Sequence, residues 1–187
     1  MLEYKNTMLI SPKKVKEYGN INLNVDEAEV GAAIRIAQDI YLKDAAGRNL
    51  IEHVQELVYN KIIGSGSTID DAENEPYKVL LDEYLTPALV YRTAVELCTM
   101  LTLKIRNMGV IKNSDTNVNA TDGPDLSYLQ EYYGVFYNDA LNRLMDYLCE
   151  NKGAIPEVPD GFCTCSSKPR FAQTGLWLGP SKKKGCC

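Results

Sequence analysis

The residues whose types most directly invite chemistry are four cysteines near the end of the chain, Cys163-x-Cys165 and Cys186-Cys187. Four thiolates can hold zinc tetrahedrally, but structural zinc sites usually leave about two to four residues between paired ligands. One residue and none are poor spacings, so a zinc-binding tail on a small helical module stands as the alternative function. The single histidine, His53, has no second histidine to complete a base-and-nucleophile arrangement, and is expected at the surface or half-buried. The run Gly64-Ser65-Gly66-Ser67 lacks the Lys-Ser/Thr that would grip a nucleotide and reads as a flexible loop. Asp70, Asp71, Glu73, Glu75, Asp82 and Glu83 fall in loops or helix starts, where carboxylates complement the helix dipole. The stretch 115–122 lacks the alternating ligands and closing Glu of a calcium loop. Cys98 and Cys149 sit in helical patterns and read as small buried hydrophobes, with no structural disulfide expected in a cytosolic protein. No catalytic, metal-ligating or cofactor-binding residue is assigned, and no enzyme activity is expected.

A different chemistry is concentrated in residues 154–187. Phe171, Leu176, Trp177 and Leu178 include the only tryptophan, in a Gly/Pro/Lys-rich segment with no core of its own. Exposed, these side chains are an apolar liability; buried against a partner, they are anchors of the type that dominates interface energy. Strand addition to a neighbour is one way to dock them, and folding back on the chain's own bundle is the other. The arm carries five bases (Lys168, Arg170, Lys182, Lys183, Lys184) against Glu157 and Asp160, a charge of +3 on a body of −8. Phe171, Leu176, Trp177, Leu178, Lys182, Lys183 and Lys184 are the expected partner-binding residues.

The elements that must present this arm are helical. Asp26, with Glu29 three residues on, starts a helix whose apolar face is Val30, Ala33, Ile34, Ala37, Ile40 and Tyr41, ended by Gly47. A second begins near Asn49 with Leu50, Val54, Leu57 and Ile62. Asn74-Glu75-Pro76 starts a third carrying Tyr77, Leu80, Leu81, Tyr84 and Leu85. Pro87 predicts a kink or a tight break. Val90, Ala94, Leu97, Leu101 and Ile105 continue to about Asn107. Apolar on nearly every side, that helix belongs at the centre of the bundle or under a subunit interface. Residues 107–123 read as a polar loop and 9–25 as irregular, with one helical turn over 13–18. The last helix turns Leu129, Tyr133, Phe136, Ala140, Leu144 and Tyr147 to the core, and Gly153 stops it. No strand alternation is evident. The fold class is all-α: an antiparallel bundle of about four to five helices over 1–153, plus an extended C-terminal arm over 154–187.

Several stretches, taken in order, carry a resemblance: Met8-Leu9-Ile10-Ser11-Pro12, then AAIRIAQDIYL (32–42), YKVLLDEYL (77–85) and Lys104-Ile105-Arg106-Asn107 before Gly109, with a Tyr-rich last helix. The chain resembles the head–tail connector (adaptor) proteins of tailed phages, in the crAss-like phage form, across most of residues 8–152. The resemblance implies a structural virion protein without catalytic residues. It implies a homo-oligomeric ring, commonly of about twelve copies, between the portal and the tail, with the C-terminal segment reaching the portal. The extension after Gly153 departs from the family pattern.

The bulk numbers agree with that expectation. The 187 residues suffice for one domain with a real core. A net charge of −5 speaks against general nucleic-acid binding. About twelve copies would carry about −60, which suits a wall that DNA passes without sticking. No window approaches the roughly 18 apolar residues of a membrane span. Glu3, Lys5 and Asn6 interrupt any secretory leader. The expected location is the virion, after assembly in a host cytoplasm.

Overall fold

Ser11 and Pro12 set the first helix. The Ser11 hydroxyl accepts from the Lys14 N–H at 3.2 Å, and Pro12 takes the first helical position of α1 (Pro12–Tyr18), where its missing donor costs nothing. The computed structural model describes residues 3–21, 24–106, 109–112, 123–158 and Phe162. Asp26 caps α2 (Glu27–Ile36) by accepting from the Ala28 N–H at 2.9 Å. A π-helical segment, Ala37–Leu42, carries the rod into α3 (Lys43–Ala46). Gly47 breaks it with φ 96°, and α4 (Arg48–Ile63) follows. A second rod runs through α5 (Glu75–Val79), a π segment over Leu80–Leu85 and α6 (Thr86–Thr102). An antiparallel hairpin, β1 (Leu103–Arg106) and β2 (Gly109–Lys112), pairs Leu103 with Lys112. The long α7 (Gly123–Glu150) completes an all-α bundle with that one small hairpin.

The apolar α6 is central. Ala88, Leu89, Val90, Ala94 and Leu97 are buried, with α2 packed on one side and α7 on the other. The core closes with Leu9, Ile10 and Val15 from the N-terminal segment, Leu50, Ile51 and Val54 of α4, and Ala140, Leu144 and Leu148 of α7. It also extends past Gly153: Ile155 and Val158, which composition assigns to the arm, are buried in it and Phe162 packs against it.

The two π segments account for the largest departures from helical periodicity. No break falls at Pro87: helical hydrogen bonding continues through Thr86 into α6. The preceding turns widen, and the Thr86 N–H reaches back to the Leu81 carbonyl, five residues earlier. This loosening makes room for the proline ring, which would otherwise strike a carbonyl one turn back. In the first rod the extra residue per turn slips the phase. Gln38 and Leu42 turn inward, and Ile40, expected on the core face, is 59% exposed. Ile62, also expected in the core, is 69% exposed because it follows the last buried turn of α4, which ends at Leu57. The apolar helix stops at Thr102 rather than near Asn107, and residues 103–106 and 109–112 pair as strands. Lys104-Ile105-Arg106 and Val110-Ile111 are too short an alternation to stand out in a sequence.

Candidate functional site

Inside the bundle, two buried glutamines hold the N-terminal segment. Gln38 accepts from the Leu9 N–H at 2.9 Å and donates to the Thr7 carbonyl at 3.1 Å. Gln55 donates to the carbonyls of Lys5 and Thr7 at 3.1 and 2.8 Å. This segment is one 3-10 turn over Glu3–Asn6 followed by irregular chain, so buried side chains must satisfy the backbone groups that no regular element pairs. This explains why Met8-Leu9-Ile10-Ser11-Pro12 matters: Leu9 and Ile10 plug the core, and Ser11 and Pro12 start α1. The other two long resembling stretches, 32–42 and 77–85, each end in a π segment.

The run Gly64-Ser65-Gly66-Ser67 is tied down rather than loose. Gly64 ends α4 in the left-handed conformation, φ 66°. Asp71 accepts from the Thr68 N–H at 2.7 Å and the Thr68 hydroxyl at 3.1 Å, which holds its carboxyl below the ordinary range. Asn74 stands at the N-cap of α5 as expected, but its side chain makes no capping bond there and donates to the Ser67 hydroxyl and the Thr68 carbonyl, both at 2.8 Å. Asp70 pairs with Lys61 at 2.7 Å and Lys78 at 3.3 Å, and these cations lower its pKa. The loop joins α4 to α5 as a hydrogen-bonded knot.

His53 is half-exposed, as expected, with partners that sequence spacing does not show. Its Nδ1 lies 3.3 Å from Glu157 Oε1, and its ring centroid is 4.8 Å from that of Tyr77. The Tyr77 hydroxyl donates to Glu157 Oε2 at 2.7 Å. Burial, then the bond to Glu157, pushes the phenol far above its ordinary range. A phenol held protonated and a carboxylate between two partners form a lock. With Ile155 and Val158 beneath, this lock fastens the chain after α7 onto α4 and α5.

Arg92 lies between rings, its guanidinium carbon 3.4 Å from the centroid of Tyr41 and 5.7 Å from that of Tyr137, and it pairs with Glu96. Such stacking on aromatic faces is characteristic of arginine. It ties α6 to the end of the first rod and to α7. Burial raises the Tyr137 pKa, against the lowering effect of Arg92.

One surface remains apolar without a covering element among the described residues. Tyr128, Leu129, Tyr132, Val135 and Phe136 are exposed on α7, Tyr128 to 67% and Tyr132 to 48%. Leu129 and Phe136 were expected in the core. Ala140 and Leu144 are buried as expected, Tyr137 and Leu148 take the other inward places, and the Tyr133 hydroxyl donates to the Gly19 carbonyl at 3.3 Å. The exposed rings form one cluster: Tyr132 and Phe136 centroids lie 4.9 Å apart, and Phe136 stacks on Tyr91 of α6 at 5.2 Å. Contiguous exposed aromatic surface of this kind marks an interaction face.

The expected anchors Phe171, Leu176, Trp177 and Leu178, the bases Lys182, Lys183 and Lys184, and the cysteines Cys163, Cys165, Cys186 and Cys187 lie outside the described residues, as do 107–108 and 113–122 of the expected polar loop. Cys149 corrects an expectation: it is exposed at the end of α7 and is disulfide-bonded. Cys98 is half-buried, and burial raises its thiol pKa. Among the described residues no three His, Cys, Asp or Glu side chains converge as metal ligands, and no helix is long and apolar enough to cross a membrane.

Fold and surface together define a helical-bundle protein whose last helix carries an apolar face on its outside. The chain belongs to the Family of unknown function (DUF6712), whose model matches residues 42–167. That match runs from the end of the first π segment, through the knot and α7, past the lock at Glu157. No curated protein and no solved structure matches the chain.

Proposed function

We propose that this chain is a structural virion protein: a subunit of a homo-oligomeric ring that connects the portal to the tail of a phage and surrounds the DNA channel, acting without catalysis. The observation that carries the proposal is the outward face of α7, where five large apolar side chains from Tyr128 to Phe136 are exposed together. A subunit that functions alone has little reason to keep such a face, and a ring subunit needs one for its neighbour. The rigid, continuous rods and the plugged N-terminal segment suit a wedge that must keep its shape under load. The ordered stretches that resemble head–tail connectors supply the virion context and the portal as a second partner. A net charge of −5 per copy suits a channel wall past which DNA moves without specific binding.

Mass photometry of the purified protein over a range of concentrations, and of particles assembled with a portal, tests the proposal. The expected result is a discrete oligomer large enough to close a ring. A protein that stays a single chain at every concentration and engages no portal would refute it.

A further inference from the structure

The outward face of α7 changes character along its length. At helical spacing, Tyr128, Tyr132 and Val135 are followed on the same side by Asp139, Arg143, Asp146 and Glu150, all exposed. Arg143 is taken up by Asp139 at 3.1 Å, so the second half of the face is acidic. The C-terminal arm shows the complementary order. Its apolar residues Leu176, Trp177 and Leu178 precede the cations Lys182, Lys183 and Lys184.

The two patterns also agree in length. From Tyr132 to Asp146 the helix rises about 21 Å, at 1.5 Å per residue. From Trp177 to Lys183 an extended chain spans about 20 Å. An arm laid parallel to α7 therefore sets its tryptophan among the rings of Tyr132 and Phe136 while its lysines meet Asp146 and Glu150.

We infer that the outward face of α7 is the dock for the C-terminal arm of a neighbouring copy of this chain, with residues 176–178 on the aromatic half and 182–184 on the acidic half. The inference rests on the ring reading above and adds the contact that closes the ring. The ring reading selects the neighbour's arm over the subunit's own, because only an arm that reaches another copy joins two subunits. The contact is head-to-tail, with a different patch on each copy, the type of contact whose repetition builds a ring when the rotation between copies closes.

The test uses full-length chains, and Trp177, the only tryptophan, reports on its own environment. Tyr132→Asp disables the dock and Trp177→Ala disables the arm; circular dichroism checks that each variant keeps its helix content. The unmodified chain should assemble with blue-shifted tryptophan emission. Each variant alone should be a single chain, with red-shifted emission in Tyr132→Asp. An equimolar mixture should give two-chain particles and nothing larger, because one working arm and one working dock remain. Independently, Lys182→Glu, Lys183→Glu and Lys184→Glu together should abolish assembly, and adding Asp146→Lys and Glu150→Lys should restore it.

If the unmodified chain and both variants assemble alike with unchanged emission, this docking is wrong while the ring reading stands. If the unmodified chain is a single-chain particle, the ring reading falls too. Blue-shifted emission in that particle, lost in Tyr132→Asp, would then show the arm folded on its own subunit and overturn the inference.

Discussion

Two isoleucines exchange the roles their sequence context suggests, and the exchange can be measured. Ile155 follows the glycine at which the last helix should stop and belongs by composition to the arm, yet it is 0% exposed. Ile62 falls on the apolar face of α4 by spacing, yet it is 69% exposed. Ile155→Ala removes three buried carbons, about 2.4 kcal/mol at about 0.8 kcal/mol each. The cavity left in the core raises the loss to about 3.5 kcal/mol, inside the range for such truncations. For a chain of this size that corresponds to a Tm lower by about 7–14 °C. Ile62→Ala should stay within about 0.5 kcal/mol of the parent. Urea and thermal unfolding followed by circular dichroism, at one fixed protein concentration, give both numbers. Equal midpoints for the two variants, or a loss below about 1 kcal/mol for Ile155→Ala, would refute the conclusion that the core continues past Gly153.

Three further outcomes follow from the same contacts. Tyr77→Phe removes a hydrogen bond to Glu157 and should cost about 1–2 kcal/mol; the loss should shrink in a Glu157→Gln background, which a double-mutant unfolding cycle reads directly. Gly64→Ala meets no neighbouring atom, but its φ of 66° penalises any Cβ, so unfolding should show a loss of about 1 kcal/mol. The folded pKa values of Asp70 and Asp71 are depressed, so their contribution is present above the unfolded value of about 3.9. It is lost as pH falls from there through the folded values. Amide exchange at Thr68 should therefore stay slow near neutrality and gain an added acceleration below about pH 4 relative to an Asp71→Asn variant; identical acid profiles would count against the knot.

Much of the bundle was legible because a helix announces itself every three or four residues. Asp26 as a cap, Gly47 as a stop and the buried trio Val30, Ala33 and Ile34 all follow from local spacing. So did the central place of α6, since a helix apolar on nearly every side has to be covered on nearly every side. The misreadings cluster where a local rule met a longer-range one. Ile40 turned outward because the π segment shifts the helical phase, and the sequence pattern assumes an unbroken period. Leu129 and Phe136 fitted the inward stripe equally well; only the placement of α7 against its neighbours decides which of its apolar residues near the N-terminal end are inside. The lock of His53, Tyr77 and Glu157 spans more than a hundred residues of chain, and no motif spacing encodes it.

Local chemistry in the chain was enough to establish an all-α fold, its main helix starts and stops, an acidic body and a basic, tryptophan-bearing end, because each depends on neighbours within a turn or two. Tertiary packing alone decided which apolar side chains are buried, that residues 154–158 complete the core, that Gln38 and Gln55 hold the N-terminal segment, and that one face of α7 is left uncovered by the described residues. Those outcomes depend on which helix lies beside which, and that is a property of the whole chain rather than of any segment.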